Sequence, residues 1–143
     1  MEKINYFYED TSFELREQEQ IARWVIHTAE VEGYEVAAVN YIFCSDEYLL
    51  QVNIDHLQHD YYTDIITFDN SEREGTVESD IFVSIDRIAD NAEDQGIAFE
   101  DELRRVIIHG ILHLVGYNDK SQQEKETMRA KENAYLSLPE YQF

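Results

Sequence analysis

The sequence predicts an α+β fold in a single domain, with a mixed sheet of about four strands covered by about five helices. Three observations point there. Short β-favouring runs alternate with stretches whose apolar residues recur every three or four positions, in the order β-α-β-α-β-β-α-α-α. Serine- or threonine-led caps and glycine stops mark the ends of the helical stretches. A chain of 143 residues with 43% hydrophobic content is enough for one ordinary core, so residues 1–143 are read as one domain.

Ile4-Asn-Tyr-Phe-Tyr8 is aromatic and β-favouring, a first strand. Thr11-Ser-Phe-Glu14 has the form of a capping box and predicts a helix start. Ile21, Trp24, Val25 and Thr28 then share one helix face, which packs on the core, and Gly33 closes the element. Val36–Cys44 is a second strand. Ser45 caps the next helix, with Asp46 and Glu47 in its first turn where carboxylates suit the helix dipole. Tyr48, Leu49 and Val52 give that helix an apolar face as far as Leu57. Asp60–Tyr62 is a connection, Asp64–Phe68 a third strand and Asn70–Gly75 a polar turn. Thr76–Ile85 is a fourth strand; Val77, Ile81, Val83 and Ile85 alternate, with a break at Ser79-Asp80. Asp86–Gln95 is a short helix ended by Gly96, and Phe99–Val115 a longer one. Ser121-Gln-Gln-Glu124 is a second capping box, opening a final helix with Met128 and Tyr135 two turns apart.

The helix over 99–115 is the informative one. Val106, Ile107, Ile108, Ile111, Leu112, Leu114 and Val115 leave it no broad polar face, so it is buried by the rest of the domain. His109 and His113, four residues apart, lie on one side of it. Two imidazoles so placed can bind one metal ion; the plainer alternative is a pair of hydrogen-bonded core histidines, each needing a partner in apolar surroundings. Gly116 stops the helix, and the chain turns back to present Asn118 and Asp119. His109, His113 and Asp119 thus form a candidate three-point ligand set, H-x3-H-x5-D. Gly110 stands where the zinc-protease motif H-E-x-x-H has its glutamate, which disfavours that peptidase mechanism and leaves room for a close approach to the helix.

His109-Gly-Ile-Leu-His113-Leu-Val-Gly116-Tyr-Asn-Asp119 resembles the HGxLHLxGYDH signature of the YbeY family, the bacterial rRNA maturation endoribonucleases. Val52-Asn53 with Asp60-Tyr-Tyr-Thr63-Asp64-Ile-Ile-Thr67-Phe68 is similar to the family's L-N-x3-R-x2-D-x2-T-D-V-L-S-F segment, and Glu78-Ser-Asp80-Ile81-Phe-Val-Ser84 to its G-D-I-x-I-S strand. Two positions depart from the pattern: Asp119 replaces the family's third histidine and Leu57 its arginine. The resemblance implies an α+β fold with a metal at one end of the sheet and the Thr63-Asp64 segment lining the cleft. It further implies a metal-dependent, single-strand-specific endoribonuclease that matures the 3′ end of small-subunit (16S) rRNA and acts in ribosome quality control. RNA and the ribosomal small subunit would be its partners. His109, His113 and Asp119 would be both ligands and catalytic residues, with one Zn2+ the expected ion.

Zinc suits two imidazoles and a carboxylate, with water in an open fourth position whose pKa the ion lowers. Charge stabilisation and a proton for the leaving oxygen are also needed, for which Lys120, Arg105 and Asp80 are candidates. A carboxylate at 119 makes the ion a weaker Lewis acid and widens the choice toward manganese or nickel. Alternatively Asp119 is not a ligand and His59 or His56 reaches in, although both also read as exposed polar residues. Asp80 is either a bulge residue or a partner of a metal-bound histidine. His27 reads as structural or exposed. Two other readings stay open: a non-catalytic metal-binding ribosome-assembly factor, and a metal-dependent hydrolase of another substrate.

A net charge of −20 argues against a general nucleic-acid binder. The charge is uneven. Between 101 and 131, Arg104, Arg105, Lys120, Lys125, Arg129 and Lys131 face five acids, leaving that window near +1 and the remainder at −21. A short RNA contact beside the histidines is compatible with this; long-range steering of RNA is not. No transmembrane run, signal-like or basic targeting segment is read from the sequence. Cys44 is the single cysteine, so no internal disulfide forms and a reducing compartment, the cytoplasm, is expected. No membrane or DNA partner is expected.

Overall fold

The structure, a computed structural model, describes residues 2–142. The sheet is organised on β2 (Glu35–Cys44), a run that is apolar on both faces. Val39, Tyr41 and Phe43 are buried on one side, Ile42 and Cys44 on the other, as suits an interior parallel strand. β2 pairs in parallel with β1 (Ile4–Glu9) and β4 (Thr76–Ser84); β3 (Ile65–Asp69) runs antiparallel along the outer side of β4. The strand order is β1-β2-β4-β3.

The helices divide between the two faces. α4 (Phe99–Leu114) and α1 (Gln18–Val31) cover one, with α3 (Ile85–Gln95) and α5 (Gln122–Leu136) packed against α4. α2 (Asp46–Leu57) covers the other, its Leu49 clustered with Cys44 and Ile66. Ile107, Ile108, Ile111 and Leu112 of α4 are fully buried, which agrees with a helix apolar on most of its circumference. Gly110 is where α4 meets the sheet most closely. A Cβ added there would lie 2.9 Å from Ile65 Cδ1 and 3.5 Å from Ile81 Cδ1, so the room left by the glycine is filled by β3 and β4. Among the described residues no helix is long and apolar enough to cross a membrane.

The four-stranded mixed sheet and five α-helices match the sequence expectation. Three local readings do not. The Thr11 capping box does not start α1. Thr11 Oγ1 instead accepts from the Phe13 amide, and the helix begins at Gln18 behind Glu17, which is left-handed at φ 58°. The reason is burial: Leu15 is buried and Phe13 packs edge-on to Phe43, so residues 13–15 are spent covering the core before the helix begins. The alternation of β4 also runs through Ser79 without a break. Ser79 is buried in the inward series of Val77, Ile81 and Val83, and its hydroxyl donates to the Phe68 carbonyl at 2.8 Å. A satisfied hydroxyl takes a core position that an apolarity pattern cannot recognise. Finally, Ile85 opens α3 rather than ending β4, because the Ser84 hydroxyl accepts from the Arg87 amide as an N-cap. The second capping box, at Ser121 and Glu124, forms with both of its hydrogen bonds.

Candidate active site on the histidine helix

α4 carries Arg105, His109 and His113 four residues apart, so that they stack on one side of the helix, half-buried to exposed, beside the buried run of Val106, Ile107, Ile108, Ile111 and Leu112. β3 supplies the facing wall. Side chains alternate across a strand, so Ile65 and Thr67 point toward α4 while Ile66 and Phe68 point toward α2. Gly116, at φ 109°, ends the α4 turn in a conformation that glycine takes without strain, and the reversal brings Asp119 back to the helix. Thr63, Asp64, Ile65, Thr67, His109, His113 and Asp119 line one cavity of about 240 Å³. The three sequence-derived candidates are therefore gathered in one place, with the Thr63-Asp64 segment beside them as expected.

A second cavity, of about 350 Å³, shares Asp64, His109 and Asp119 and continues between α4 and α5 past Arg105, Lys125, Arg129 and Glu132. The two are lobes of one cleft with His109 at the junction.

His109 is held from behind. Its Nδ1 lies 2.7 Å from Glu132 Oε2, and the other oxygen of that carboxylate accepts from Arg105 at 2.9 Å. The Glu132 side chain is only 6% exposed. An ionised carboxylate can only accept, so the shared proton sits on Nδ1. Burial would raise the Glu132 pKa, but the hydrogen bonds and charges of His109 and Arg105 outweigh it and hold the carboxyl below its ordinary value. On His109 burial acts to lower the pKa, and Glu132, Asp119 and Asp64 together raise it above the usual imidazole value.

With Nδ1–H directed at Glu132, the neutral imidazole turns the lone pair of Nε2 outward. That nitrogen lies 3.4 Å from Asp119 Oδ2. Two acceptors facing each other at this distance call for a positive charge between them, either a second proton on His109 or a metal ion. Donors sharing one tetrahedral zinc, each about 2.0–2.1 Å from it, stand roughly 3.3 Å apart, so this pair fits an ion in both chemistry and spacing. Among the described residues, however, no three His, Cys, Asp or Glu side chains are closed into a complete donor set; His113 lines the cavity without joining the pair.

Other sequence candidates are placed elsewhere. Asp80 accepts from Asn40 at 2.9 Å and from Asn70. It is neither a bulge nor a histidine partner: the irregular register of the sheet lies at Val36/Ala38, and Asp80 alternates with Ser79 and Ile81 onto the face away from α4. His59 stacks on Tyr61 and bonds its hydroxyl, and His56 meets the edge of Phe68; neither lines the cleft. Lys120 does not line it either. Arg105 does, but as the partner of Glu132 and Asn133. Glu132 itself went unrecognised, although a signal existed: an acid at i+4 from Met128 and i−3 from Tyr135 lies on the inward face of α5, where a carboxylate needs a partner.

Comparison with known proteins gives the family. The endoribonuclease YbeY family model matches residues 3–139. The chain belongs to the YbeY family. An endoribonuclease YbeY of Cytophaga hutchinsonii is 58% identical over 140 residues, covering 98% of each chain. One of Porphyromonas gingivalis is 44% identical over 138 residues, covering 96% of this chain and 91% of that one. The solution structure of TM1509 from Thermotoga maritima shares the fold at a TM-score of 0.61, with 24% identity and 96% of both chains covered. The HGILHLVGYND segment that carried the resemblance thus sits, in this YbeY protein, on the helix and turn that form the cleft.

Proposed function

We propose that this YbeY protein is a metal-dependent endoribonuclease that hydrolyses phosphodiester bonds in single-stranded RNA. We place its ion among His109, His113 and Asp119. The observation that carries the reading is the His109–Asp119 pair: two acceptors 3.4 Å apart, with the remaining histidine nitrogen already committed to Glu132. A divalent ion held there, Zn2+ by donor type, supplies Lewis-acid chemistry that activates water and stabilises charge on the phosphoryl oxygens. The protein does the remainder. Glu132 fixes the tautomer and ring orientation of His109, as a carboxylate behind a ligating histidine does elsewhere. Asp119 brings a negative charge where the YbeY signature has a third imidazole. Thr63, Asp64 and Thr67 form the opposite wall, where hydroxyl and carboxyl groups can orient a ribose or hold a proton. The biological substrate in this reading is the 3′ end of small-subunit rRNA, met on the ribosomal small subunit in the cytoplasm, with a part in ribosome quality control.

The test is the metal content of wild type, His113→Ala and Asp119→Ala, followed together with cleavage of single-stranded RNA. About one ion per chain, lost with His113 and weakened with Asp119, together with metal-dependent cleavage, is the expected result. Stoichiometric metal without cleavage would replace it with the assembly-factor reading. No metal under any loading would leave His109 and His113 as hydrogen-bonded residues.

A further inference from the structure

α5 presents Lys125, Met128, Arg129 and Glu132 on one face, at i, i+3, i+4 and i+7. All four line the larger lobe of the cleft. Met128 and Glu132 are buried there, whereas Lys125 and Arg129 remain exposed at the rim. Four acids line this lobe: Asp64 is half-buried, Asp119 is exposed but lies 3.4 Å from His109, and the other two are engaged. Glu132 binds Arg105 and His109, and Glu102 accepts from Gln95. Arg129 stands 3.9 Å from Glu132, and Lys125 makes no ion pair within the described residues. In a chain of net charge −20, two like charges one turn apart on a cavity wall repel each other unless an anion sits between them.

We propose that this rim is a backbone subsite for RNA. Lys125 and Arg129 hold the phosphodiester next to the one placed at His109 and Asp119, with Arg105 behind them. The proposal rests on the endoribonuclease reading above. The ammonium provides a point charge and the guanidinium a planar fork, both suited to phosphate oxygens. Contacts of this kind position a strand without reading its sequence. They also give an acidic protein a local grip on a polyanion that the rest of its surface repels.

The experiment is fluorescence anisotropy of labelled single-stranded oligoribonucleotides, one oligouridine and one of mixed sequence. It is run with metal-loaded protein in the cold over a salt series, and RNA integrity is checked on gels. Lys125→Ala/Arg129→Ala is compared with Arg23→Ala/Arg73→Ala, which removes the same charge outside the cleft. The rim variant should bind both RNAs about tenfold more weakly, with the slope of log K against log salt shallower by about 0.7 for each phosphate that is no longer neutralised. Its metal content should match wild type. Unchanged affinity and slope in the rim variant, or an equal loss in the control pair, would overturn the subsite while leaving the endoribonuclease reading intact. A wild type that binds neither RNA would overturn both.

Discussion

Replacing Glu132 tests the central geometry most directly. The carboxylate is 6% exposed and serves two partners, His109 Nδ1 at 2.7 Å and Arg105 at 2.9 Å. Removing one member of a fully buried ion pair costs about 3–5 kcal/mol, because the charge left behind has lost its partner. Arg105 and His109 are 22% and 25% exposed, so water can partly replace the carboxylate, and Arg105 keeps Asn133. Glu132→Ala should therefore cost about 2–3 kcal/mol. Glu132→Gln keeps the volume and one acceptor oxygen, enough for one of the two donors, and should cost about 1–2 kcal/mol. Urea denaturation of metal-free protein measures both. A second readout separates orientation from packing: metal affinity, by calorimetric titration, should fall about 10–100-fold in the alanine variant although every ligand is retained. Nitrogen NMR of His109 should show the Nδ1–H tautomer in wild type and a mixture in the variant. An alanine variant with wild-type stability, wild-type metal affinity and an unchanged tautomer would refute the positioning role of Glu132.

Two further outcomes follow from other parts of the fold. Glu32 accepts from the Tyr117, Tyr135 and Lys131 side chains and is 12% exposed. Burial raises its pKa, but those hydrogen bonds and the Lys131 charge outweigh it and bring it below the ordinary value. A depressed carboxyl stabilises the fold above its unfolded pKa, about 4.3, and that stability is lost as pH falls through the folded value. Wild type should therefore lose more stability on acidification than Glu32→Gln in paired denaturation curves; equal losses would count against the cluster. For Gly110→Ala, a gain of about 1 kcal/mol in helix propensity opposes overpacking of about 1–3 kcal/mol. The nearest obstacle is the flexible end of Ile65, so the net loss should be about 1 kcal/mol and largely recovered by adding Ile65→Val. A failure of that second change to help would mean that the backbone, not Ile65, sets the distance between α4 and the sheet.

The sequence by itself determined most of the elements and which residues meet at the cleft. Its apolar periods and caps set α2, α4 and α5, and the β-favouring run of Val36–Cys44 set a strand, whose place inside the sheet came only with the fold. His109 and His113 were legible because helical spacing is a local property: residues four apart share a side whatever the helix packs against. Asp119 was legible because Gly116 forces the reversal that brings it back. What only the tertiary structure decided depends on contacts between elements distant in the chain. Thr11 satisfied a local capping pattern, yet burial of Phe13 and Leu15 pushed the helix start to Gln18. Asp80, a candidate partner of a metal-bound histidine, projects from the opposite face of the sheet, because one step along a strand reverses a side chain. Glu132, 23 residues beyond His109, became its partner because α5 packs on α4. That packing also formed the cationic rim of Lys125 and Arg129. Periodicity shows which residues of a helix share a face; which charge lies opposite that face is set by how the helices dock, and docking is a property of the whole core.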